Sequence, residues 1–168
     1  MARAATRTQL VLAQLAAALV IILALLGLVL HGFSAEVRER VFTSIVERPG
    51  GPMTFRFILQ PVMAGLLAAA DGVRDARGGA APYFWSLVTG SAPRAGRLYD
   101  GIIATSRVIL LGLAMDVIYQ LIVFKSFYPG EAAIVAVLLA FVPYLLLRGP
   151  FQRLARLMGV GASEKDKT

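Results

Sequence analysis

The 168-residue chain has no cysteine, a single histidine, a single tryptophan and only three lysines. Without thiols it can form no disulfide and offers no thiolate to a metal, and the lone imidazole of His31 cannot build a histidine metal site. It carries no Gly-x-Ser-x-Gly elbow and no glycine-rich phosphate loop, so neither a serine hydrolase nor a nucleotide-binding fold is indicated. No internal repeat is present, which removes the signature of an inverted-repeat transporter. Charge is scarce as well. Charged residues make up 16% of the chain, where a soluble protein carries about 25%.

What fills the chain instead is apolar sequence: 58% of residues are hydrophobic and the mean hydropathy is +0.72. The formal net charge of +7 would suggest nucleic acid in a soluble protein. Here, however, most basic residues flank long apolar runs, where they act as topology signals. Arginine outnumbers lysine 14 to 3 and alanine is abundant, a composition that points to a high-GC bacterial genome.

Four runs are candidates for membrane crossing. Leu10 to Leu30 is 21 residues with only Gln14 polar; at 1.5 Å per residue it covers roughly 32 Å, enough for a hydrocarbon core of about 30 Å. It is longer than a signal-peptide core, so an uncleaved anchor is expected in preference to a cleaved leader ending near Gly32-Phe33-Ser34. The second run, Met53 to Ala70, contains Arg56, Gln60 and Pro61. It crosses if the Arg56 head snorkels to the interface; a re-entrant hairpin is the alternative. The third covers about 104–124 with Asp116 and Gln120 inside it, and the fourth about 132–147 with Pro143. Tyr128-Pro129-Gly130 forms a tight turn between these two.

The expected fold class is an all-α integral membrane protein. Four transmembrane helices stand in two antiparallel pairs, with short amphipathic interfacial helices, as a single membrane domain over 1–168. Counting Lys and Arg on the two sides of four crossings gives twelve against five, so both termini are expected in the cytoplasm of a bacterial (inner) membrane. An outer amphipathic connector occupies 33–46, a cytoplasmic loop 71–103 and a cytoplasmic tail 148–168. Tyr83, Phe84, Trp85 and Tyr128 are expected as interfacial anchors. Phe151 to Met158 is expected as a further short surface helix.

Asp71-Gly72-Val73-Arg74-Asp75-Ala76-Arg77-Gly78-Gly79 partly resembles the Asp-Gly … Ala-Arg motif of integral membrane CDP-alcohol phosphotransferases, a resemblance that implies metal and pyrophosphate binding. Three residues separate Asp71-Gly72 from Ala76-Arg77, where that family has two, and no second aspartate pair follows. Two divalent ions need those additional carboxylates. The stretch is therefore read as a helix end with opposite charges three and four residues apart, closed by Gly78-Gly79.

Asp116 is the residue singled out for function, since an acid inside a span costs roughly 2.5–3.5 kcal/mol on insertion scales. Gln120 lies one turn away, and Gly112 one turn the other way leaves room for a neighbouring helix. Gly65 is a second packing glycine. Counting from their shared outer ends sets Gln60 level with Asp116 and Arg56 level with Gln120, an intramembrane polar cluster of Arg56, Gln60, Asp116 and Gln120 across antiparallel helices. No catalytic residue, cofactor or metal is indicated. The expected function is a non-catalytic accessory or scaffolding subunit whose partners are lipid, another membrane protein or itself, not nucleic acid. The alternative is a small homo-oligomeric transporter or channel using Asp116, although four-helix small multidrug transporters place their essential acid in the first span, where this chain has none.

Overall fold

The computed structural model describes residues 5–32, 39, 42–43, 46, 54–89 and 94–160, with the side chains of Arg56, Arg94 and Phe124 outside that set. Most of the amphipathic connector 33–46, the turn at 47–52 and the tail from 161 also lie outside it. Every regular element among the described residues is helical, with no strand. Four helices are long and apolar enough to cross a membrane.

Helix α1 spans Arg7–His31. It begins at a reciprocal cap: the Gln9 N–H donates to the Thr6 hydroxyl at 3.3 Å and the Thr6 N–H donates to the Gln9 side-chain oxygen at 2.9 Å. Together these satisfy two donors that a helix start leaves orphaned. Helix α2 spans Arg56–Arg77 and holds Pro61 internally; the ring removes one backbone donor near the helix start. Short α3 spans Tyr83–Thr89. Helix α4 spans Arg94–Tyr119 and runs into a π-helical turn, Gln120–Phe124, that ends at Lys125 in the left-handed region (φ 51°). Helix α5 spans Pro129–Leu157, opening on the proline that suits a first turn and containing Pro143 and Pro150.

Three helices run well beyond their apolar runs: α4 already starts at Arg94, ahead of the run expected from about 104. Helix α2 continues past Ala70 to Arg77, and α5 continues past Leu147 to Leu157. The segment expected as a separate surface helix, 151–158, is largely the last two turns of α5. The polar residues that ended the runs in the sequence, Asp71, Asp75 and Arg148, have partners in the fold, so the helices carry on through them.

The pairing also differs from the expected two antiparallel pairs. Helices α4 and α5 do form an antiparallel hairpin, but α2 makes its principal contact with α5, and α1 packs on α4 and α5 with little contact to α2. Helices α2 and α5 run parallel: Asp71 meets Tyr144 and Asp75 meets Arg148, each pair 73 residues apart. The segments between α1 and α2 and between α2 and α4 are long enough to release α2 from its sequence neighbours, and α5 becomes the central helix.

Small residues set these contacts. Ala132, Ala136 and Ala140 repeat every four residues along α5 and are buried with Ala16 of α1 and Val108, Ile109 and Leu113 of α4. Ala64 and Ala68 repeat along α2 against Tyr144. One turn on, a Cβ at Gly72 would lie 2.8 Å from the Arg148 carbonyl oxygen and 2.9 Å from the Gln152 nitrogen. A Cβ at Gly27 would stand 2.5 Å from the Gly130 backbone. In lipid, where tails are as apolar as leucine, close backbone approach through small residues supplies much of the helix association. Large apolar side chains point outward, among them Val29 of α1, Ile58 of α2 and Ile122 after α4. In water such a surface would aggregate; in a bilayer it is the solvated face.

Candidate functional site

Most of the buried polar side chains among the described residues collect at the two ends of the bundle. One end is where α4 turns into α5 (the hairpin end); the other is where α1 starts and α2 and α5 finish (the termini end).

At the hairpin end Asp116 and Gln120 are both fully buried. The Gln120 amide donates to the Asp116 carboxylate at 2.5 Å and to the Tyr128 carbonyl at 3.2 Å, while its oxygen accepts the Tyr128 N–H at 2.5 Å. One glutamine thus ties the acid to the backbone of the turn into α5. The π-helical turn starts at Gln120 itself. Such a bulge places an extra residue in a helix and re-aims the side chains beyond it. The Tyr128 ring lies 5.2 Å from that of His31, joining the end of α1 to the same corner.

Gln60 is also buried, but one turn away from the expected place. Its amide nitrogen donates to the Val108 carbonyl at 3.4 Å, and a Cβ on Gly112 would collide with it. Gly112 therefore makes room for a glutamine side chain, not for a helix backbone. The register on α4 is set by Gln60 beside Gly112 and Asp75 beside Arg97. It brings position 56, not position 60, level with Asp116. Gly65 is buried, and a Cβ there would lie 3.3 Å from a Leu147 methyl, a contact that the leucine tip can yield to.

The termini end holds a larger network that the sequence did not announce. Arg148 donates to both oxygens of Asp75, from Nε at 2.8 Å and from a terminal nitrogen at 3.0 Å. Its other terminal nitrogen donates to the Tyr144 hydroxyl at 2.6 Å, and that hydroxyl donates to Asp71 at 2.8 Å. The guanidinium stacks 4.2 Å above the Tyr83 ring, a cation–π contact. All three guanidinium nitrogens and one face of the group are thereby engaged. Tyr83 donates to the Arg97 carbonyl oxygen. Gln152 and Arg156 both donate to the Ala80 carbonyl, each at 2.5 Å. Helices α2, α3 and α5 meet at this one arginine, and α4 joins through Arg97, which lies beside Asp75 and Tyr83.

Tyr83, expected at the membrane surface, is fully buried instead. Its ring fills the space between Arg148 and Tyr144, and burial pushes its phenol up to about 12, against the opposing pull of Arg148. Of its neighbours, Phe84 and Trp85 are exposed, and Tyr128 is half-buried. Helical geometry explains the split, because in a seven-residue helix only one side meets the bundle.

A cleft of about 770 Å³ opens beside this network. It is lined by Gln9 of α1, by residues of α2 and α4, and by Arg148 of α5. Its outer part carries Asp71, Arg74, Arg97 and Asp100; its inner part carries Met63, Leu66, Leu67 and Val108, with Arg107 between them. Among the described residues no group of three His, Cys, Asp or Glu side chains is placed to hold a metal. Asp116 is not among the residues that line the cleft.

No protein-family model, curated protein or solved structure matches the chain. The geometry of the two clusters and of the cleft is therefore the guide to function.

Proposed function

We propose that the chain is a non-catalytic accessory or scaffolding subunit of the bacterial cytoplasmic membrane, with both termini in the cytoplasm, working beside another membrane protein or further copies of itself. The observation that carries this reading is that the buried ionisable groups are spent on the fold. Asp75 is bound through both its oxygens by Arg148 and Asp71 by Tyr144, and Asp116 is bound by a glutamine that holds the hairpin turn. A transported proton or cation needs a carboxylate that exchanges partners with water. Asp116, fully buried and fastened to the turn, suits a fastener better than a carrier.

The test is reconstitution. Wild-type protein in vesicles is expected to leave proton and cation flux at the level of empty vesicles, and Asp116→Asn is expected to lower the thermal midpoint. Mass determination of the intact assembly, extracted in mild detergent, is expected to show a stoichiometric partner protein or a fixed homo-oligomer. Flux in the wild type that disappears in a folded Asp116→Asn variant would make the protein a transporter instead.

A further inference from the structure

The scaffold reading leaves the cleft at the termini end unused. Four arginines and three aspartates line it, which leaves one surplus positive charge. Most of these charges are already engaged: Arg148 with Asp75, and Arg74 with Asp71 at 2.5 Å. Arg97 sits 3.8 Å from the same Asp75 and donates to the Ala81 carbonyl. Arg107 and Asp100 differ from the rest. Both are exposed and form no hydrogen bond or ion pair with any described residue.

Of the charges that line the cleft, Arg107 lies furthest into its helix from the termini end. It lies inside the apolar helix Ala95–Val123, two turns further in than Asp100, roughly 10 Å by helical rise. An arginine at that depth has its stem in hydrocarbon and its head in need of an anion or water. The wall that continues inward from it is apolar, formed by Met63, Leu66 and Val108. Helices α1 and α2 both line the cleft and make little contact with each other.

We propose that this cleft binds a phosphate-bearing membrane lipid. Arg107 receives the phosphate, with the exposed part of Arg74 at the rim as a second donor. An arginine fork suits phosphate oxygens in a way that a point charge does not. Asp100 accepts from a hydroxyl or ammonium on the headgroup alcohol, and the acyl chain lies along Met63 and Leu66. The aqueous ion alone would leave that apolar wall uncovered.

The experiment uses the full chain, stripped of lipid in detergent, and reads the rise in thermal midpoint on adding phosphatidylglycerol, the matching diacylglycerol without phosphate, or inorganic phosphate alone. Phosphatidylglycerol is expected to raise the midpoint in a saturable way, and the other two to leave it unchanged. In Arg107→Gln the concentration needed for half the shift is expected to rise about tenfold, with a smaller rise in Arg107→Lys. Arg153→Gln, an exposed arginine away from the cleft, is expected to keep the wild-type response. An equal shift with inorganic phosphate would make the site one for a free anion, and an equal shift with diacylglycerol would make it a purely apolar groove. Either result overturns the proposal, as would an unchanged response in Arg107→Gln or an equal loss in Arg153→Gln. Should Arg107→Gln not fold, the lysine variant and the three ligands still decide the matter.

Discussion

The two ends of the bundle solve the same problem, polar side chains inside a membrane protein, by contrasting routes. At the hairpin end Asp116, Gln120 and Tyr128 fall within thirteen consecutive residues, and the contacts among them are four and eight residues apart. At the termini end the decisive contacts, Asp71 with Tyr144 and Asp75 with Arg148, each bridge 73 residues. The first cluster closes a local turn and the second joins two helices that are not neighbours in the sequence. The hairpin end should therefore form early and survive damage elsewhere, whereas the termini end holds the tertiary arrangement.

Breaking the long-range end is expected to have the largest effect. Arg148→Leu leaves Asp75 without its principal partner at a crowded helix junction, and losing one member of a buried pair costs about 3–5 kcal/mol. The expected readout is a sharp fall in the thermal midpoint in detergent, with Arg148→Lys recovering only part of it because an ammonium cannot span both carboxylate oxygens. Next comes the contact beneath that pair. Gly72→Val places a side chain against the Arg148 carbonyl and the Gln152 nitrogen, an overpacking that costs about 1–3 kcal/mol; denaturant titration should show it. A comparable Val at Gly65, which meets only a leucine methyl, should cost less.

At the hairpin end Gln120→Leu strips hydrogen bonds from a buried acid and from the Tyr128 backbone, with an expected cost of about 1–3 kcal/mol. Hydrogen exchange should localise that loss to the turn, leaving α2 and α5 protected. The smallest effect is expected at Tyr83. Its phenol is neutral in the folded protein up to a pH of about 12, against an ordinary value near 10. The stabilisation that comes from keeping it neutral is therefore full below pH 10 and is lost as the pH rises through 12. Alkaline unfolding with phenolate absorbance as the probe should show that window. Tyr83→Phe should shift it and cost about 1 kcal/mol through the lost bond to Arg97.

The same contrast governs what the sequence makes legible. Run length and hydropathy are local properties, so the four spanning helices can be read directly, and the antiparallel α4–α5 hairpin comes from a turn of a few residues. The association of Asp116 with Gln120 is legible for the same reason, being one helical turn. The α2–α5 contact is not. Asp71 and Asp75 read as charges balanced by the arginines beside them, Arg148 as a topology signal, and Tyr144 as part of an apolar run. Only the matching four-residue spacing in the two segments hints that they meet, and spacing of that kind is common on any helix. Tyr83 is misplaced because an aromatic cluster beside a proline carries no mark of which ring faces inward. The one-turn error in the register of Gln60 arises from aligning helix ends, which the structure does not align; the glutamine settles instead where Gly112 leaves a gap.

The claim on which the fold rests most heavily is that Asp75 and Arg148 join α2 to α5 across 73 residues. A double-mutant cycle with Asp75→Asn, Arg148→Gln and the double variant, read by reversible unfolding in detergent, tests it directly. The account predicts a coupling of about 2 kcal/mol or more, with the double variant far less destabilised than the sum of the two single variants. Additive effects of the two substitutions, with no coupling, would contradict it.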